Sequence, residues 1–541
     1  MTPRGAILQI AKMVGQDMAR GAASPGVLAA GPMLAQTGAT PDLVACLVAE
    51  AGKKRPADRI VDACCFLLEG ALNDLRIAGN GGDTEARAGL AEARQAVETA
   101  VAVSPLPPKV LMLIARAVAQ AGLEPGAALK EATLAAMEAG FAEDVTSQRG
   151  GGLSDQLAPL AAALGNDPFA VHAEIAASGA AFPPEHRAAM AAELAASSIE
   201  AVQEAALGFL LDADPAPGLA VLNALRAHAR RQVVPSRVVE RLVSLRPWLP
   251  PARQPNLDAA IRALRPRTIA PGVRNEGEIK ALLASLCDGA GAQSLFALLK
   301  RGRRFALASV LIKADVGVAD AWVREDMAKR EAESLITRIT VETEAVGVPI
   351  SFVARRLSDA LATNLAQNVP PPFGLLQVTE ALGLGLLQPA ALSALELAED
   401  LLASLAPEET GPMAARQAHL ESAEWPQLFG TMASWFEAGE GVEALLRPIP
   451  SRRQRVTAVR ERVLPVRRPY WAERCAWMAA TLKDAGSEES KEWVNFALVA
   501  HDLASGEPLG DIPLFDVIAE ATIDACAALS STRRREAPRR R

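Results

Sequence analysis

The sequence predicts an all-α protein of irregular helical hairpins with α-solenoid character and a disordered, arginine-rich C-terminal tail. Half of the 541 residues are hydrophobic, but only 4% are aromatic. Alanine and leucine supply most of the apolar content and favour helices, whereas the β-branched and aromatic residues typical of strands are sparse. Apolar residues also recur at helical spacing between proline and glycine breaks. We therefore expect roughly 25 helices.

The first predicted domain is an N-terminal helical block, residues 1–148. Its longest predicted helix covers residues 57–78 and ends before the glycines that follow Ala78. One face of this helix is apolar, which predicts that it is buried: the face comprises Ile60, Ala63, Cys64, Leu67, Leu68, Ala71 and Leu75. Three consecutive glycines at 150–152 cannot hold a helix, so they mark the end of the block.

The second predicted domain, residues 153–265, has shorter and more regular segments separated by prolines. Paired helices with a period of about 30 to 40 residues are typical of helical solenoids. In residues 200–231, one helix is followed by a turn and a second helix with Leu219, Leu222 and Leu225 inward; the turn carries Asp212, Asp214 and Pro215. This stretch resembles a HEAT-like repeat. The resemblance implies a solenoid whose concave surface binds partners.

The third predicted domain is a C-terminal helical block, residues 273–530. Residues 300–304, Lys-Arg-Gly-Arg-Arg, are interpreted as a basic corner at a helix end, and one long charged helix is expected within residues 316–346. Asp511 is expected to cap a last helix that ends near Ser530. Residues 531–541 form the basic tail, which has too little apolar surface to fold.

Residues 467–505 are the clearest predicted helical hairpin. Trp471, Cys475, Met478 and Leu482 fall on one face of the first helix. A polar corner follows, in which Gly486 ends that helix and Ser487 caps the next, with Glu488 and Glu489 in its first turn. The inner face of the second helix is formed by Trp493, Phe496, Ala497, Ala500 and Ala504.

Composition restricts the classes of function. The net charge of -7 suits a soluble protein and predicts no general affinity for nucleic acid. Six scattered cysteines without a C-x-x-C pair indicate reduced, buried thiols in a cytoplasmic protein. The N-terminus lacks the features of a signal peptide, and no uninterrupted apolar run is long enough to span a bilayer.

Local catalytic motifs are missing from the sequence, with one partial exception. There is no phosphate-binding loop and no nucleophile elbow, so we expect no enzymatic activity, no cofactor and no metal. The exception is the dipeptide His501-Asp502. Helical phosphohydrolases of the HD type use such a pair with an earlier histidine and a later aspartate, for which His419 and Asp524 are the candidates. A helical metal hydrolase is therefore a third alternative.

The predicted binding surface lies in the arginine-rich segment 447–474 and the hairpin that follows it. Arginines beside Tyr470 and Trp471 can grip phosphates, or they can pair with acidic groups of the same chain or of a partner protein. Trp477 falls off the inner stripe, so it is either packed against a neighbouring hairpin or an exposed anchor. The proposed partner-binding residues are Arg452, Arg453, Arg467, Arg468 and Trp477.

The expected function is that of a non-enzymatic scaffold or adaptor that binds another protein. Association with nucleic acid or another polyanion through the same arginines is the alternative.

Overall fold

The computed structural model describes residues 3–20, 25–80, 84–147, 153–269, 277–485 and 492–536. The predicted polar corner at Gly486, Ser487, Glu488 and Glu489 lies outside this part of the chain. Contacts between Cα atoms divide the chain into two compact units. The first comprises Met1–Val239 and Asn256–Ala270, and the second comprises Glu240–Pro255 and Pro271–Arg541.

The first unit is helical apart from a two-residue parallel pairing of strands β1 (Val234–Pro235) and β2 (Thr268–Ile269). Helix α13 begins in this unit and ends in the second. The helices up to the second unit are α1 (Pro3–Ala19), α2 (Pro25–Gln36), α3 (Thr40–Ala51), α4 (Asp58–Asn80), α5 (Thr84–Val103), α6 (Pro108–Gln120), α7 (Ala127–Ser147), α8 (Leu153–Ala163), α9 (Pro168–Ser178), α10 (Pro184–Ala195), α11 (Glu200–Ala205), α12 (Pro215–His228), α13 (Ser236–Leu245) and α14 (Gln254–Leu264).

Helix α4 is the centre of the N-terminal bundle, because α1, α2, α3, α5 and α6 all pack against it. Its predicted apolar face is confirmed: Ile60 is partly buried, and the six other residues of that face are buried. Among them are Cys64 and Leu67, which are fully buried. Burial raises the pKa of the Cys64 thiol to about 12, which keeps it protonated at neutral pH.

Residues 200–231, for which the sequence predicts two helices, form two packed helical segments. Asp214 caps α12 by accepting a hydrogen bond from the Ala216 amide at 2.8 Å. Leu222 and Leu225 are buried, as predicted, but Leu219 is 44% exposed and does not face inward.

The second unit is not all-helical, so the predicted all-α class is wrong. It contains a five-stranded antiparallel sheet in the order β6-β5-β4-β3-β7. Its strands are β3 (Glu278–Ala284), β4 (Ala292–Arg301), β5 (Arg304–Lys313), β6 (Gly317–Met327) and β7 (Val346–Gly347). Its helices are α15 (Lys329–Glu342), α16 (Ile350–Gln367), α17 (Gly374–Leu382), α18 (Ala394–Leu402), α19 (Pro407–Thr410), α20 (Pro412–Glu421), α21 (Trp425–Leu428), α22 (Glu440–Leu446), α23 (Arg452–Ala458), α24 (Leu464–Asp484), α25 (Glu492–Ser505) and α26 (Leu514–Glu536).

Two predicted helical features are parts of this sheet. The single long helix expected within residues 316–346 is strand β6 followed by helix α15. The basic corner at residues 300–304 is a β-hairpin: Arg301 pairs with Arg304, which leaves Gly302 and Arg303 as a two-residue loop. Gly302 has a φ of 61°, in the left-handed region that two-residue hairpin loops require.

Burial on both faces explains why the sequence of these strands predicts helices. Helices α16 and α17 pack on one side of the sheet, against β5 and β6. Leu335, Ile336 and Ile339 of α15 pack against Phe305 and Leu307 of β5. A strand covered on both sides carries a continuous apolar run rather than an alternation, and such a run looks like a buried helix segment.

The free edge of β6 is capped by one side chain of α16. The Asn364 carboxamide oxygen accepts a hydrogen bond from the Val318 amide at 2.8 Å. Its amide nitrogen donates to the carbonyl oxygens of Val316 and Val318 at 3.0 and 3.2 Å. The buried amide thus takes the place of a further strand along this part of the edge.

Helix α24 is buried on every side over its second half: eleven of the twelve residues from Trp471 to Leu482 are buried. It packs against α18 and α25, and the Thr481 hydroxyl accepts a hydrogen bond from Gln293 of β4. The last helix, α26, runs to Glu536, beyond the predicted end near Ser530. The tail predicted to be disordered from residue 531 is therefore helical at 531–536, and residues 537–541 lie outside the described part.

No helix within the described ranges is long and apolar enough to cross a membrane. The six cysteines, all of which the structure describes, are buried and form no disulfide.

Candidate functional site

Trp477, the predicted aromatic anchor, is only 1% exposed. Its ring meets the Phe352 ring edge to face, with 6.1 Å between centroids, and the Arg356 guanidinium lies 4.3 Å from its centroid. Phe352 and Arg356 belong to α16, one of the helices that cover the sheet. Of the two alternatives for Trp477, a packed and an exposed side chain, the structure shows the packed one, with α16 as the packing partner.

Arg467 is engaged within the chain. Its guanidinium lies 3.4 Å from the centroid of the Tyr470 ring, and the guanidinium of Arg474 lies 3.1 Å from the same centroid. Arg467 also donates to a carboxylate oxygen of Glu437 at 3.0 Å, and Trp471 donates to that carboxylate at 2.9 Å. Of the alternatives that the sequence left open for Arg467, the structure shows contacts within the same chain.

The other predicted arginines do not converge with Arg467 on one surface site. Arg468 donates to the carbonyl oxygens of Leu503 and Glu507. Arg452 forms an ion pair with Asp524, so the aspartate suggested for an HD-type centre is held by an arginine instead. The Arg453 side chain is exposed. Three of the four predicted arginines therefore have partners within their own unit.

Two histidines and an aspartate converge in a different part of the C-terminal block. His419 Nε2 lies 2.8 Å from one carboxylate oxygen of Asp502, and His501 Nδ1 lies 3.1 Å from the other. His419 comes from α20, whereas Asp502 and His501 are neighbours on α25. The packing of α20 and α18 against α25 creates this site, which we call the His–Asp pocket.

The His–Asp pocket is a cavity of about 690 Å³ that opens to the surface. Buried Leu498 and half-buried Leu402 contribute apolar lining, and Ala403, Pro412 and Ala415 line it with small or rigid side chains. His419 and Asp502 are mostly buried, with 12% and 16% of their side chains exposed. The pocket therefore has an apolar lining and a small group of fixed polar side chains.

Asp502 is ionised at neutral pH and acts only as a hydrogen-bond acceptor. Burial raises the pKa of this carboxyl, but the hydrogen bonds and charges of His419 and His501 outweigh burial and lower the pKa below its usual value. An ionised carboxylate has no hydrogen to donate, so the two ring nitrogens that face it must carry hydrogens. Asp502 thus fixes both the orientation and the tautomer of each imidazole.

The opposite nitrogens, Nδ1 of His419 and Nε2 of His501, have no hydrogen-bond partner among the described residues. In a neutral imidazole they carry lone pairs and accept hydrogen bonds. A carboxylate that orients an imidazole in this way also equips it to exchange a proton with a bound molecule. The arrangement can therefore recognise hydrogen-bond donors, and it can accept a proton.

The described residues include no group of three or more histidine, cysteine, aspartate or glutamate side chains placed to hold one metal ion. The ligand set of an HD-type metal centre is thus not assembled here, since Asp524 pairs with Arg452. Sequence inspection identified His501, Asp502 and His419, but it could not show that α20 packs beside α25.

Comparison with known proteins replaces the predicted HEAT-like resemblance. Three sequence models of the Y4lR family match the chain: its N-terminal domain at residues 30–126, its second domain at 183–268 and its C-terminal helical domain at 395–527. The protein y4lR of Sinorhizobium fredii (strain NBRC 101917 / NGR234), described as uncharacterized, is 26% identical over 398 residues. That alignment covers 71% of this chain and 74% of y4lR.

No solved structure matches the chain. The C-terminal match contains every residue of the His–Asp pocket. In its N-terminal, second and C-terminal domains alike, the chain is similar to the uncharacterised Y4lR family rather than to HEAT-like repeat proteins.

Proposed function

We propose that the C-terminal helical domain is a non-enzymatic binding module whose His–Asp pocket holds a small polar ligand. The observation that carries this proposal is the convergence of His419 and His501 on Asp502 inside a cavity of about 690 Å³. Small-molecule sites in proteins usually measure about 300 to 1,000 Å³, with apolar lining and a few fixed polar groups. The His–Asp pocket has both properties.

The electrostatics of the site support the same proposal. A carboxylate with a perturbed pKa in a cleft is a candidate for function, because clefts that bind ligands often perturb the groups that line them. Asp502 is such a group, and its partners come from two helices that are far apart in sequence. The free nitrogens of the two imidazoles give the ligand two fixed hydrogen-bonding positions.

Protein binding through a helical surface, the function favoured by the sequence, stays a prediction. Its proposed residues support it less than the pocket supports ligand binding, because Trp477 is buried and three of the four arginines have intramolecular partners. The same contacts weaken the polyanion alternative, since a guanidinium already paired with a carboxylate attracts phosphate less strongly.

A cytoplasmic location belongs to the same proposal. All six cysteines are buried without a disulfide, which is common in a reducing compartment.

A thermal-shift screen with two alanine substitutions tests the ligand-binding proposal. Ala403 lines the pocket, whereas Ala504 is an exposed residue of α25 outside it, so Ala403→Phe fills the cavity and Ala504→Phe is the matched control. The screen uses amines, amino acids, carboxylates, sugars and nucleotides. A ligand at 100 times its Kd adds about 2.7 kcal/mol to the free energy of unfolding.

We expect at least one compound to raise the Tm of the native protein and of Ala504→Phe, but not that of Ala403→Phe. A compound that stabilises all three proteins equally binds elsewhere. If every compound that binds behaves so, or if none binds the native protein, the proposal is wrong.

A further inference from the structure

We infer that the ligand of the His–Asp pocket is an organic cation with several N–H donors on a short aliphatic chain, the chemistry of a polyamine. The inference rests on the proposed function and adds the class of ligand to it. Three independent features of the pocket support it: the hydrogen-bonding character of its inner wall, the charge of its rim and the shape of its apolar lining.

The inner wall is built of acceptors. Asp502 accepts from both histidines, so each imidazole, in its neutral form, turns a lone pair away from the carboxylate. A ligand that reaches these nitrogens is bound best if it donates hydrogen bonds, as an amine does. A carboxylate or phosphate would meet lone pairs at the same positions.

The rim of the pocket carries more carboxylates than lysine or arginine side chains. Glu399 of α18, Glu507 beyond the end of α25, and Asp511 all line the pocket, and Arg416 of α20 is the only lysine or arginine that does. None of the three rim carboxylates forms an ion pair among the described residues. Together with Asp502, they produce a field that attracts cations.

The apolar lining fits methylene groups between charged nitrogens. Leu402, Ala403, Ala415 and Leu498 line the same cavity as the carboxylates. A compact inorganic cation would leave this surface in water, whereas an aliphatic chain would cover it and gain about 25 cal/mol for each Å² of apolar surface buried.

Isothermal titration calorimetry on the full chain tests the inference. The ligands are spermidine, a cation, and succinate, an anion. The three variants are Glu399→Gln, Asp400→Asn and Ala403→Phe. Asp400→Asn is the control for Glu399→Gln, because Asp400 is the exposed neighbour that does not line the pocket. We expect spermidine to bind the native protein with one-to-one stoichiometry. Glu399→Gln should weaken it by up to about fivefold, since exposed charge pairs contribute at most about that factor.

Asp400→Asn should leave the affinity for spermidine unchanged, and Ala403→Phe should abolish binding. Binding that survives Ala403→Phe, or that falls equally in both charge variants, would reflect general attraction to the net charge of -7 and overturn the inference. Absence of spermidine binding overturns it as well. If succinate binds instead and Ala403→Phe prevents this, the pocket binds a ligand as proposed, and only the cationic class is wrong.

Discussion

Tyr470 shows how a residue pattern that is typical of binding can be used inside a fold. Its ring lies between the guanidinium groups of Arg467 and Arg474, and its hydroxyl donates to the Gly289 carbonyl oxygen at 3.1 Å. Desolvation of the phenol raises its pKa, which keeps it neutral between the two cations. The sequence shows the arginines and the aromatic ring, but it does not show that the loop between β3 and β4 packs against them.

The pair Arg467 and Glu437 makes a prediction about stability. Glu437 is 7% exposed, so Arg467→Gln would leave a mostly buried carboxylate with fewer donors, and we expect a loss of about 1–3 kcal/mol in the free energy of unfolding. Urea unfolding of Arg467→Gln, Glu437→Gln and the double variant measures the interaction free energy between the two side chains. We expect this interaction to stabilise the folded protein. Exposed Arg453→Gln is the control and should change stability by less than about 0.5 kcal/mol.

An unchanged stability of Arg467→Gln, together with loss of a co-purifying protein, would return Arg467 to the partner-binding role that the sequence suggested.

Among the elements, the hairpin between β4 and β5 shows the turn chemistry most clearly. Gly302 adopts a φ of 61°, and a Cβ added there would have no neighbour within 4 Å. Substitution therefore tests backbone conformation alone. We expect Gly302→Ala to destabilise the second unit by about 1–2 kcal/mol, the cost of a left-handed conformation for an L-residue.

Thermal unfolding of Gly302→Ala beside Arg303→Ala, the other loop residue, measures this cost. An equal effect of the two substitutions would mean that the loop does not depend on the conformation of Gly302.

Helices were predictable where one face meets a core. The predicted inner face of α4 is confirmed, and so is that of α24, since Trp471, Cys475, Met478 and Leu482 are all buried. Prediction failed for strands rich in alanine and leucine, such as β4 and β5, because propensity and period both resemble those of a buried helix. Lys-Arg-Gly-Arg-Arg at 300–304 contained a local signal for a hairpin, a glycine in a two-residue loop between two apolar runs.

The candidate site was predictable in part. The His501-Asp502 dipeptide and His419 were recognised, but the metal chemistry assumed for them needs Asp524, which pairs with Arg452. The sequence offered a packed Trp477 as one alternative, but it could not show that the packing partner is α16 rather than a neighbouring hairpin.

For the whole molecule, the contacts assign residues Glu240–Pro255 to the second unit, although the sequence suggested a single boundary near residues 265–273. Trp248 is 2% exposed and donates from Nε1 to the Leu387 carbonyl oxygen at 3.1 Å. Arg241 donates to both carboxylate oxygens of Glu380, at 2.8 and 3.0 Å. A segment that precedes the sheet in the sequence is thus part of the same packed unit.

Trp248→Ala tests this assignment in the full chain. Loss of the buried indole should cost about 3–5 kcal/mol, and amide hydrogen exchange should accelerate in the second unit, around Leu387 first. Trp322→Ala is the control, because Trp322 is 41% exposed. Acceleration confined to the first unit would contradict the assignment of this segment.

The amide of Asn364 has a consequence for how this protein behaves at high concentration. An uncovered edge strand offers free N–H and C=O groups on which a strand of another molecule can form, and this is a common start of aggregation. At the start of β6, Asn364 already occupies the amide and carbonyl groups of Val318 and the carbonyl group of the preceding Val316. The side chain that completes the sheet therefore also withholds this part of its edge from neighbouring molecules, and keeps the sheet from growing beyond five strands at that position.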